Sequence, residues 1–136
     1  MNKSIIDEVI EGYEEAIYFT ESRVGMDDGT INKSDMFSTL ARLQITFDCQ
    51  RFLELLEDGQ DEELGMKYTD AFDIDWRLVG HDFWLTRNGH GAGFWDGDWP
   101  ENFGEFATDI CDEAGEADVY SEHGIIDFEH YLAPKF

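Results

Sequence analysis

Two histidines nine positions apart, His81 and His90, stand with Asp82, Asp96 and Asp98 in the one cluster of this sequence that has metal-ligand chemistry. Neutral imidazole and carboxylate suit zinc or another transition metal. They would do so here if the run Gly89-His-Gly-Ala-Gly93 turned His90 back towards His81 and placed Asp82 and Asp96 beside the pair. The sequence offers no His-x-x-x-His pair on one helical face and no cysteine nearby. The favoured reading is therefore that His81 and His90 donate to backbone carbonyls and brace a glycine turn, and no cofactor is expected. Nucleophilic catalysis has less support. Thr86 and Ser121 lie in no strand-turn-helix elbow, and Cys49 is surrounded by apolar residues that keep a thiol protonated. The Gly89-x-Gly-x-Gly93 spacing follows a helical pattern rather than a strand and has no lysine, so it is a poor phosphate loop. With 32 Asp and Glu in the chain, carboxylate pairs arise by chance and do not by themselves indicate a glycosidase. The expectation is a binding protein rather than an enzyme.

The second constellation is the acidity itself. Asp and Glu outnumber Lys and Arg by 32 to 9, a formal net charge of -23. Such a field disfavours approach to DNA, RNA or an anionic membrane and favours basic partners. Asp7, Glu8, Glu11, Glu14 and Glu15 repeat along one predicted helix face at about the 5.4 Å pitch. Like charges at these spacings cost a few tenths of a kcal/mol per pair, so stability alone does not account for them. Asp58, Asp61, Glu62 and Glu63 form a second acidic run, read as a solvated connection that also offers contact surface. At 42% hydrophobic and 15% aromatic residues, the chain has the material for a core despite its charge.

These groups need elements to hold them. Ile6, Val9, Ile10, Tyr13, Ala16 and Ile17 recur at helical spacing after Ser4, a capping residue, which predicts a first helix over residues 4 to 19. Turn formers between residues 20 and 33 end it. Asp27-Asp-Gly-Thr-Ile-Asn32 there hints at a calcium loop but lacks the bidentate Glu. A longer helix is predicted over 34 to 57, opening at Ser34 and closing at Gly59 in a left-handed cap. Apolar residues that include Leu40, Leu43, Phe47 and Phe52 wrap broadly around it, as on a central helix. Ile74, Leu78, Val79, Phe83, Trp84 and Leu85 predict a helix over about 73 to 88, stopped by Asn88-Gly89, in which Gly80 lets another backbone come close. Pro100 opens a helix over 100 to 114 that Gly115 ends. Alternating segments on either side of Glu122-His123-Gly124 read as a hairpin. Cys49 and Cys111 fall on apolar faces and are expected as buried thiols. The fold class expected is α+β, mainly α: about four helices around one core with a small C-terminal β-hairpin, in a single acidic domain over 1 to 136. No basic stretch followed by an apolar run opens the chain, and no window is apolar enough to span a bilayer; a cytoplasmic location is expected.

The run Gly80-His-Asp-Phe-Trp-Leu-Thr-Arg-Asn-Gly-His-Gly-Ala-Gly-Phe-Trp-Asp96 resembles the signature block of a family of small, uncharacterised bacteriophage and mobile-element proteins. In that family an Asp-Cys pair followed by a Phe, here Asp48, Cys49 and Phe52, precedes the block, and a helix and hairpin follow it. The chain departs from the pattern after Asp96, where Gly97 stands at a position the family often gives to a basic residue. The resemblance implies a phage origin and a shared fold, and it carries no mechanism. Small acidic phage proteins are often decoys, because carboxylates spaced along a helix can pair with the Arg and Lys that otherwise hold phosphates. The leading expectation is therefore a DNA mimic that sequesters a basic, nucleic-acid-binding host protein through Asp7, Glu8, Glu11, Glu14, Glu15, Asp58, Asp61, Glu62 and Glu63. A metal site at His81, Asp82, His90 and Asp96 is the first alternative, and acidity as an adaptation to high salt is the second.

Overall fold

A computed structural model describes residues 3–20, 36–131, 133, 134 and 136. Ser4 starts the first helix as expected: its Oγ accepts from the Asp7 N–H, and α1 runs over Ile5–Thr20. Strand β1 (Met36–Phe37) follows, then α2 (Thr39–Asp58), β2 (Gln60–Asp61), β3 (Met66–Lys67) and the single-turn α3 (Tyr68–Ala71). Helices α4 (Trp76–Arg87) and α5 (Glu101–Ala114) flank the glycine-rich block, and β4 (Val119–Glu122) with β5 (Ile125–Phe128) forms the C-terminal hairpin. The result is an α+β fold, mainly α. Among the described residues no helix is long and apolar enough to cross a membrane.

α1 and α4 cross with their backbones in contact, and two glycines make this possible. A Cβ on Gly12 would lie 1.8 Å from the Arg77 carbonyl oxygen, and one on Gly80 would lie 1.8 Å from that of Val9. No side chain fits there. The close approach brings Val9, Tyr13, Ala16 and Ile17 onto Val79, Phe83 and Trp84, all fully buried. Burying a large apolar side chain contributes about 1.5–3 kcal/mol. Aromatic rings continue the core: Phe52 stacks on Phe83 with centroids 4.0 Å apart, and Tyr13 meets Trp84 edge-on at 5.2 Å.

The hairpin turns at His123 and Gly124, both with positive φ (53° and 76°), as a two-residue turn whose twist matches its strands requires. Local sequence does not show that the hairpin is part of a larger sheet. β1 pairs in parallel with β5, Met36 opposite Ile125 and Phe37 opposite Ile126, giving the order β1-β5-β4. Phe37, Val119, Ile126 and Phe128 seal it onto the core.

Three expectations are corrected. α2 opens at Thr39 with Ser38 as its cap, because residues 36–37 are strand. Its closing Gly59 is not left-handed (φ −71°); the Phe106 ring occupies the space of a Cβ, 2.3 Å away. As expected of a central helix, α2 touches α1, α3, α5 and β5, although Leu40, Leu43 and Phe47 form one stripe about half exposed (57%, 46% and 51%). The acidic connection is likewise not simply a solvated loop: β2 and β3 pair within it, and Asp61 is buried with its Oδ1 accepting from the N–H groups of Glu63 and Leu64. The Asp27 to Asn32 segment lies outside the described residues.

Replacing a glycine by alanine within a helix ordinarily stabilises it by about 1 kcal/mol. Gly12→Ala and Gly80→Ala are expected to do the reverse, losing about 3 kcal/mol or more because the helices must separate. Gly91→Ala, where a Cβ meets nothing within 4 Å, should stay within about 0.5 kcal/mol of wild type. Urea denaturation measures all three.

Candidate functional site

Short polar side chains hold the block between α4 and α5. Thr86 Oγ1 accepts from the Phe94 N–H at 3.1 Å, and a Cβ on Gly93 would collide with that oxygen at 2.1 Å. Asn88 donates to the Trp84 carbonyl and accepts from the Ala117 N–H, joining the end of α4 to the chain beyond α5. Asp96 accepts from the N–H groups of Gly93 and Asp98, which closes the turn. Asp82 points inward, its Oδ2 accepting from Trp99 Nε1 at 2.7 Å. Burial raises the Asp82 carboxyl above its ordinary value of 3.8, while the indole hydrogen bond pulls it back.

His81 is accordingly not one member of a gathered ligand set. Its Nδ1 lies 3.8 Å from Asp82 Oδ1 and its ring faces Phe19, while Asp96 is committed to the turn. Among the described residues no three His, Cys, Asp or Glu side chains are arranged to hold a metal ion. The alternative built on His81, Asp82, His90 and Asp96 is set aside on that geometry. Thr86, Asn88 and Asp96 brace the turn. Short polar side chains compete for local backbone groups in this way, and that was the signal available in the sequence.

Arg87 is the best-connected side chain of the block. Its Nη1 donates to Tyr13 Oη and to Asp48 Oδ2, both at 3.0 Å, its Nε to the Gly115 carbonyl at 2.7 Å and its Nη2 to the Ala114 carbonyl at 3.2 Å. Gln44 donates to the other Asp48 oxygen. Burial raises the Asp48 carboxyl's pKa, and Arg87 and Gln44 oppose the rise. α5 ends in Asp112 and Glu113 with no basic residue in its last turn, which is unfavourable beside the negative end of the helix dipole. The guanidinium corrects this from the neighbouring helix. A cavity of about 330 Å³ opens beside the pair, but Asp48 and Arg87 are engaged with each other. The nearby Cys49 and Cys111 are free and buried, which pushes both thiols well above their usual range. No activated nucleophile is present among the described residues at this site.

The carboxylates expected to meet a partner divide. Glu11 is paired with Lys3 and Arg77, and Glu15 with Arg77 Nε at 2.5 Å. Glu14 is partly buried, which raises its pKa, with Arg42 opposing. On α1, Asp7, Glu8 and Glu14 are in no ion pair among the described residues, while Glu11 and Glu15 are paired, so the acidic stripe there is partly offset. Asp58, Glu62 and Glu63 are exposed, and Asp61 is spent on its turn.

The bare acidic face is on α5 instead. Glu101, Glu105, Asp109, Asp112, Glu113 and Glu116 are all exposed, and among the described residues none is in an ion pair. The signal was in the sequence: carboxylates three and four positions apart, within a stretch from Asn88 to Pro134 that has no Lys or Arg. Alongside this face runs a groove of about 560 Å³. One wall is formed by Trp95 and Trp99 of the block, the other by Glu101, Glu105, Thr108 and Asp109.

Set against protein-family models, curated proteins and solved structures, the chain matches none.

Two outcomes follow. Arg87→Met leaves Asp48 buried without its cation and α5 uncapped, and is expected to cost about 3–5 kcal/mol in urea denaturation. Asp82 has a folded pKa above its unfolded one, so the folded state binds its proton more readily. The stability linked to that proton is present at low pH and is lost as pH rises through the raised value. Asp82→Asn keeps an oxygen acceptor for Trp99 and removes this dependence. Its melting temperature should exceed wild type at neutral pH, and the difference should shrink on acidification. A mutant less stable than wild type at neutral pH would contradict the assignment.

Proposed function

We propose that this chain is an acidic decoy: a phage-encoded protein that occupies the basic groove of a nucleic-acid-binding host protein in the host cytoplasm. The observation that carries this reading is the α5 face, six exposed carboxylates on one helix and its C-terminal flank with no cation among the described residues to neutralise them. Glu101, Glu105, Asp109 and Asp112 follow one another at about one turn, about 5.4 Å along the axis, a spacing over which Arg and Lys that track a phosphate backbone can pair with carboxylates by charge-assisted hydrogen bonds. Bringing the two surfaces together also releases the counterions each had condensed, as duplex DNA does when bound. The phage origin rests on the resemblance of residues 80 to 96. The contact residues shift from α1 to Glu101, Glu105, Asp109, Asp112, Glu113 and Glu116, with Asp58, Glu62 and Glu63 as exposed acidic neighbours in sequence of the β2–β3 turn.

The test is competition. The chain should displace duplex DNA from the basic protein it captures, and its affinity should fall steeply between about 50 and 200 mM salt. Combined Glu101→Gln, Glu105→Gln, Asp109→Asn and Asp112→Asn should weaken binding by about tenfold or more, a change of at least about 1.4 kcal/mol. Neutralising Glu11 and Glu15, already paired with Arg77, should have a smaller effect. An affinity indifferent to salt and to the α5 substitutions would end the proposal.

A further inference from the structure

The groove beside α5 adds something that a line of charges does not. Trp95 is 57% exposed, whereas Trp84 is fully buried and Trp99 is 8% exposed with its indole N–H committed to Asp82. The chain has a large aromatic core in which a fourth ring could be covered, yet this ring is left in water beside carboxylates. Thr108 also lines the groove, with its Oγ1 buried beneath the surface. At the mouth, Gly97 adopts a positive φ of 100° and a Cβ there would meet nothing within 4 Å, so the approach is open.

The chemistry of these walls selects the occupant. An anion is repelled by Glu101, Glu105 and Asp109. An apolar group would strip water from the same carboxylates without replacing its hydrogen bonds. A cation with a flat face and several N–H donors satisfies every wall at once. We propose that the groove seats an arginine side chain of the basic partner, its guanidinium lying on the Trp95 ring and its N–H groups donated to Glu105 and Asp109. Tryptophan is the best ring for a cation, and arginine stacks on it more readily than the compact, strongly hydrated lysine ammonium. The inference rests on the decoy reading and makes it specific: the acidic face supplies long-range attraction, and the groove discriminates arginine from lysine.

The probes are an oligoarginine peptide and an oligolysine peptide of equal length, titrated into the full chain while the indole N–H resonances are followed by NMR. The expected result is tighter binding of oligoarginine, with the Trp95 indole signal moving and the Trp84 signal still. Trp95→Ala removes an exposed ring and should leave the fold intact. It is expected to weaken oligoarginine by about tenfold and to bring the two peptides to similar affinity, with Trp95→Phe in between. Equal affinity of wild type for both peptides, or an unchanged preference in Trp95→Ala, overturns the groove assignment. The fourfold α5 variant separates the two ideas. If it loses both peptides while Trp95→Ala loses nothing, the groove assignment falls and the decoy reading stands; if it binds both as wild type does, the decoy reading falls as well.

Discussion

The guanidinium of Arg87 is where the helices meet. It reaches Tyr13 on α1, Asp48 on α2 and the last carbonyls of α5 from its own place at the end of α4. A buried ion pair gives little net stability compared with a well-packed apolar substitute, since desolvation offsets most of the attraction. Its effect here is on geometry. A planar fork with fixed donor directions accepts only one mutual arrangement of four helices, and α5 ends where those donors lie. The acidic C-terminal turn of α5 is tolerable because this cation stands against it, so the surface charge of one helix depends on the interior of the others.

Much of the architecture is written locally. Ser4 and Asp75 cap helices, Asn88-Gly89 stops α4, Gly115 ends α5, and His123-Gly124 turns the hairpin. Gly80 was recognisable as a place of close approach, although its counterpart Gly12 was hidden in a strongly helical pattern. What the sequence does not display are pairings between distant segments. Two residues of β1 form a strand only because β5 offers an edge, and no periodicity can arise in two residues. Gln60–Asp61 and Met66–Lys67 pair for similar reasons inside a run whose charge reads as loop. The breadth of the apolar positions on α2 agrees with its several neighbours, but periodicity does not show that Leu40, Leu43 and Phe47 are left half exposed.

The candidate site was legible in its ingredients and misplaced in its position. Charge counting finds the acidity, but whether a carboxylate is available depends on where the few cations fold to. Lys3 and Arg77 are drawn to α1, Arg42 reaches the Phe37 carbonyl, Arg51 reaches Glu54 and the Phe136 carbonyl, and Arg87 is inside. These five cations serve the interior and the first half of the chain, and among the described residues the α5 carboxylates are in no ion pair. The histidines of the block draw attention through their residue type, yet Thr86, Asn88 and Asp96, less conspicuous in the sequence, help to set its shape.

Ser38 has two tasks at once: its oxygen accepts from the Ala41 N–H to start α2, and its hydroxyl donates to Asp127 on β5. These partners are 89 positions apart. During synthesis, α2 is made long before the strand that anchors its first turn, and chain emerges at only about 5–20 residues per second. For seconds the start of this helix exists without its anchor. Closing so long a loop carries an entropy cost that local hairpin and helix formation avoid. The pairing of β1 with β5, and with it the anchor at the start of α2, therefore has to wait until the C-terminal hairpin has been made.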